Sequence, residues 1–224
     1  MLSKIAKHVR SKLAHYHPRA RKFRRALAQR DARYDADNRV DTTSFVDLKK
    51  LSIASANRQY AIPHIATDPE EFTRAMAMLP IRHEEFTFID LGSGKGRALL
   101  LAAKFPFRRL IGVEFARELH EIAETNLLNR RNADGTRPHF QLHCMDATEF
   151  KFPAEPLVLF LYNPFGSEII SRVAQRLLDS YSVCSRAIYV LYINPFHLEP
   201  WRALGFRTVT SGDPFVILAP PSRT

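Results

Sequence analysis

The chain has 224 residues, 46% of them hydrophobic, and a formal net charge of +10. That length buries one sizeable core and leaves little for a second full domain, while sixteen Phe, seven Tyr and one Trp exclude a wholly disordered chain. No apolar run approaches the roughly 20 residues of a membrane span, and the N-terminus lacks the continuous apolar stretch of a secretory signal. Cys144 and Cys184 lie in apolar sequence, which predicts reduced, buried thiols and a cytoplasmic location. No His stands at a metal-binding spacing from either Cys, so no metal is expected.

The charge is unevenly placed. Residues 1–39 hold twelve Lys and Arg against three Asp, a net of +9, whereas the remaining residues hold 21 basic and 20 acidic groups, a net of +1. The chain therefore divides into a basic arm, 1–39, and a near-neutral domain, 40–224. Leu2, Ile5, Val9 and Leu13 recur at helical spacing in the arm until Pro18 interrupts them, and Arg21, Lys22, Arg24 and Arg25 follow around Phe23 and Leu27. Such an arm is helical or flexible; it suits a solvated extension, an organelle transit peptide, or a contact with RNA, anionic lipid or an acidic protein.

Residues 40–67 read as an irregular cover segment ahead of a core over 68–219. The core begins with a helix start: Asp68 as cap, Pro69 at the first helical position, Glu71 three residues after the cap, then a stripe of Phe72, Ala75, Met76 and Leu79. Strand and helix patterns then alternate. The expected strands are Phe86–Leu91, Leu110–Val113, Phe140–Cys144, Leu157–Tyr162 and Ala187–Ile193. The helices between them run from the glycines after Leu91 through Phe105, around Leu119–Leu127, and around Ile169–Leu178. A short helix over Leu198–Leu204 precedes two final strands, Phe206–Thr210 and Phe215–Ala219, joined by a Ser211-Gly212-Asp213-Pro214 turn. The alternation predicts a mostly parallel sheet with helices on both faces.

Four features carry chemistry. Asp90-Leu91-Gly92-Ser93-Gly94-Lys95-Gly96 closes a strand and opens a helix, where glycines let backbone approach a ligand and free N–H groups face it; a tight loop alone has the same look. Glu114, followed by Phe115, ends the second strand, placed either to hold a ribose or as a solvated charge. Asp146, before Ala147, follows the third strand and reads as a ligand contact or a turn cap. Tyr162-Asn163-Pro164-Phe165 ends the fourth strand, and Asn194-Pro195-Phe196 repeats the pattern after the fifth, where a plain turn start explains it. His64, His139, His143 and His197 are bases by type only, and structural roles suit them.

Together these motifs resemble class I, seven-strand, Rossmann-like methyltransferases. Asp90 through Gly96 is similar to their D/E-x-G-x-G-x-G motif I and departs from G-x-G-x-x-G, and the terminal strand pair fits their antiparallel strand. The resemblance covers about residues 68–219 and implies a seven-stranded, mostly parallel sheet. It implies S-adenosyl-L-methionine as cofactor, held by Asp90, Gly92, Ser93, Gly94, Gly96, Glu114, Phe115, Asp146, Ala147 and Asn163. Asn163-Pro164-Phe165 resembles the D/N/S-P-P-Y/F/W motif of amino-group methyltransferases and implies that these residues position the acceptor; the missing second Pro weakens a nucleobase reading. Tyr60-Ala61-Ile62-Pro63 resembles the cover segment of seven-strand lysine methyltransferases, with Tyr60 over the site, and Asp-Leu-Gly-Ser-Gly and Gly-Val-Glu resemble the histone-lysine enzyme. The expected activity is direct methyl transfer to an amino group, with a protein lysine in view and protein or small-molecule acceptors preferred to nucleic acid. The alternatives are a nucleotide-dependent oxidoreductase and a non-catalytic RNA-binding protein on a cofactor fold.

Overall fold

A computed structural model describes residues 18–44, 66–128, 130–131 and 135–222, with side chains described from residue 28 onward. The Leu2–Leu13 helix and the Tyr60 segment fall outside the described residues. The chain divides into two compact units between Thr43 and Ser44. In the first, helix α1 spans Pro18–Asn38, and the Asp35 carboxylate ties down the turn after it. Its oxygens accept from the Thr42 and Thr43 backbone N–H groups at 2.9 and 3.0 Å and from both threonine hydroxyls.

The second unit opens on α2, Pro69–Met76. Asp68 Oδ1 accepts from the N–H groups of Glu70 and Glu71 at 2.8 and 3.2 Å, so the cap expected from sequence forms. Then come β1 (Thr87–Leu91), α3 (Arg97–Ala102), β2 (Arg109–Glu114), α4 (Arg117–Leu127), β3 (Phe140–Cys144), β4 (Leu157–Tyr162), α5 (Ser167–Val183), β5 (Ile188–Ile193), α6 (Glu199–Ala203), β6 (Arg207–Gly212) and β7 (Phe215–Ala219). They form one seven-stranded sheet in the order β3-β2-β1-β4-β5-β7-β6. The first five strands pair in parallel, and β7 runs antiparallel between β5 and β6.

Both sheet faces are covered. On one, Ile89, Leu91, Leu159 and Val190 pack with Ile170, Val173 and Leu177 of α5. On the other, Phe72 of α2 meets the rings of Phe88 and Phe160 at 5.9 and 5.3 Å. This is why β4 is a continuous apolar run: five of its six residues are buried. At the opposite strand ends Glu155 ties β1 to β2, accepting from Arg109 Nε at 3.0 Å and from the Thr87 hydroxyl. Among the described residues no helix is long and apolar enough to cross a membrane.

Three expectations are corrected. Both cysteines are free thiols, but neither is buried: Cys144 is exposed and Cys184 half-buried. Cys144 ends β3, an edge strand of the sheet, and Cys184 lies just past the end of α5. Helix α3 stops at Ala102; Phe105 still reaches Phe72, at 6.4 Å, but from the turn beyond. The final hairpin is tighter than expected, because β6 runs through Gly212 and leaves only Asp213 and Pro214 to join it to β7.

Candidate functional site

The strand order reverses between β1 and β4, so their connections leave in opposite directions and open a crevice at the carboxyl edge. Asp90, Glu114, Asp146 and Asn163 all lie at that edge, at or just beyond the ends of β1, β2, β3 and β4. The structure thus brings the sequence-derived candidates to one side of one sheet.

The glycine turn is held from two directions. Gly92 and Ser93 donate their N–H groups to the Val113 carbonyl at 2.9 and 3.1 Å, which docks the turn on β2. Gly92 has φ of +79°, and a Cβ built on it would stand 2.7 Å from Pro164 Cβ and 3.4 Å from the Phe165 ring. The turn after β1 and the turn after β4 therefore touch, and only a residue without a side chain allows it.

Asp90 and Glu114 are buried, and Asp146 is half-buried. Glu114, 4% exposed, accepts from Gly94 N–H and Ala116 N–H at 2.9 Å each, and its carboxylate also faces the Phe115 N–H. Burial raises its pKa, and these donors oppose the rise. Asp90 is equally buried and receives no hydrogen bond on its carboxyl from the described residues. Burial first, then the neighbouring Glu114, pushes its pKa up to about 8. A carboxyl in that state suits a cationic partner, which would restore its charge.

Asp146 caps a short 3-10 turn over Ala147–Glu149, with Oδ1 accepting from Thr148 N–H at 2.8 Å and from its hydroxyl at 2.7 Å. Asp146 thus caps this turn, and Ala147 is its first residue. Asn163 and Asn194 both adopt left-handed backbone, φ 44° and 50°, a conformation asparagine tolerates better than most residues. His139 and His143 are exposed, beside and on β3.

Two residues around the site were not singled out from the sequence. Lys95 is fully buried; its ammonium donates to the Ser44 carbonyl at 2.8 Å and to the Ser44 hydroxyl, and its carbonyl accepts from Asn126 Nδ2 at 2.9 Å. Gly112 has no space for a Cβ, which would meet Leu99 Cδ1 at 2.6 Å. The single glycine in Ile111-Gly112-Val113-Glu114 was the available clue.

No protein-family model matches this chain, and no curated protein does. Solved structures do. The 23S rRNA methyltransferase ErmE superposes with a TM-score of 0.51 at 14% identity, over 71% of this chain and 70% of that one. An S-adenosylmethionine-dependent O-methyltransferase from Thermotoga maritima gives 0.51 at 14%, over 70% and 67%. A predicted N6-adenine-specific DNA methylase from Listeria monocytogenes gives 0.51 at 13%, over 70% and 52%. The chain has the seven-strand α/β fold of these methyltransferases.

Proposed function

We propose that the chain is an S-adenosylmethionine-dependent methyltransferase that delivers the methyl group to an amino nitrogen. The observation that carries this is Asp90: a buried carboxyl without a hydrogen-bond partner among the described residues, beside a glycine turn, at the reversal point of this fold. The methionine end of the cofactor carries an ammonium, the partner such a carboxyl lacks. The donor set fits the rest of the molecule. A carboxylate offers about four acceptor sites, and three backbone N–H groups face that of Glu114, leaving about one for a ribose hydroxyl. The Ala147 N–H meets the adenine ring.

Bound cofactor supplies an already activated methyl, so the protein's work is alignment of acceptor and donor. Asn163 Oδ1 and the carbonyl behind Pro164 accept from the amine and aim its lone pair. Phe165, packed against Gly92, keeps that turn beside the cofactor. The fold is shared by methyltransferases of rRNA, DNA and hydroxyl acceptors, so a nucleobase amine stands beside a protein amine as acceptor, and nothing in the comparisons favours lysine.

The test is transfer of tritiated methyl from the cofactor to lysate fractions treated with protease or with nuclease. The sensitive fraction names the acceptor class. Asn163→Ala should cut transfer by at least about tenfold, the loss of one hydrogen bond made in the transition state, while the affinity for S-adenosylhomocysteine changes little. Normal transfer by the folded variant would remove Asn163 from the site.

A further inference from the structure

The two Asn-Pro-Phe turns are joined by a pair of tyrosines. Strands β4 and β5 pair with Leu161 opposite Tyr192 and Tyr162 opposite Ile193, so Asn163 and Asn194 leave neighbouring strand ends. The Tyr162 hydroxyl lies beside the Asn194 side chain and donates to Glu71 Oε2 at 3.3 Å. The Tyr192 hydroxyl donates to Asn163 Oδ1 at 3.4 Å and faces the backbone N–H of His197, three residues past Asn194. Each tyrosine therefore stands beside the β5 turn and donates its own proton to a residue outside it.

The direction of the second relay matters. Tyr192 is fully buried, so its hydroxyl has no water to turn to. Its proton must find an acceptor, and Asn163 Oδ1, at 3.4 Å, is that acceptor. Were the Asn163 amide flipped, an NH₂ would face the hydroxyl and the buried proton would have no partner. We infer that Tyr192 is a positioning residue that holds the Asn163 amide in the one orientation in which Oδ1, with its second lone pair, accepts from the methyl acceptor. This rests on the methyl-transfer reading of the site. Burial raises the pKa of Tyr192 to about 12, so it stays a donor through the neutral range.

Sinefungin tests this without a known acceptor, because it carries a primary amine where the methyl group stands in the cofactor. The quantity read is its affinity relative to S-adenosylhomocysteine. Tyr192→Phe should reduce that preference by about tenfold, the typical weight of one hydrogen bond. In an Asn163→Asp background the same change should cost less than about twofold, since a carboxylate presents an acceptor in either orientation. Equal losses in both backgrounds, or no loss with Asn163 present, would overturn the inference and leave Tyr192 as packing. If the unaltered protein binds both ligands without preferring the amine, the inference fails while the cofactor reading stands. If it binds neither ligand, both fail. If Tyr192→Phe does not fold, nuclear magnetic resonance of the unaltered protein decides: a slowly exchanging Tyr192 hydroxyl proton close to the Asn163 side chain is expected, and its absence overturns the inference.

Discussion

Gly92→Ala probes the contact between the two turns of the site, and its cost divides into two parts. The first is conformational: at φ +79° an alanine is strained by about 1–2 kcal/mol. The second is steric. The new Cβ would sit 2.7 Å from Pro164 Cβ, an atom locked in a ring next to the backbone, so the whole turn has to move, at about 1–3 kcal/mol. The sum is about 2–5 kcal/mol, which in a unit of this size lowers the melting temperature by about 5–15 °C. Gly135 supplies the control, because its φ is +81° and no described residue stands within 4 Å of a Cβ built there. Gly135→Ala should therefore show the conformational part alone, about 2–6 °C. The assay is thermal unfolding of both variants with titration of S-adenosylhomocysteine. Gly92→Ala should also bind at least about tenfold more weakly, since its turn and the Asn163 turn can no longer close together. Equal melting temperatures for the two variants, with ligand affinity unchanged in Gly92→Ala, would refute the contact.

Two further outcomes are expected. Asp90 has a pKa near 8 in the folded chain against 3.8 when exposed, so between those values the unfolded chain holds fewer protons and stability falls as pH rises. Asp90→Asn should flatten that slope, and binding of an ammonium-bearing ligand near pH 7 should expel up to about one proton, seen as a calorimetric enthalpy that changes with the buffer; an enthalpy independent of buffer would contradict the pairing. A chain beginning at Ser44, the start of the second compact unit and the partner of Lys95, should melt cooperatively and bind S-adenosylhomocysteine within about threefold of the full chain. Failure to fold or bind would show that residues 1–43 belong to the working core.

Much of this was readable in sequence because local pattern and tertiary role coincide. Leu157–Tyr162 had to be a strand covered on both faces, and acids placed at strand ends had to emerge at one edge of a parallel sheet. Where the two part company the reading failed. Leu142 and Met145 make Cys144 look buried, yet β3 is an outer strand, and strand order is not written in local hydrophobicity. Phe105 is apolar at helical spacing but packs from a turn. The tyrosine relays depend on the register of β4 against β5, which places Tyr192 opposite Leu161 instead of Tyr162. Lys95 looks like a solvated charge within a glycine turn until its partner Ser44, 51 residues away, is seen.

The most direct measurement is calorimetric titration of the full chain with S-adenosylhomocysteine, with NAD as the competing dinucleotide. Saturable binding of S-adenosylhomocysteine with a matching rise in melting temperature is expected, because a ligand that prefers the native state stabilises it by mass action, and NAD should produce neither. Folded protein that gives no heat with millimolar S-adenosylhomocysteine, or that binds NAD in preference, would contradict the methyltransferase reading.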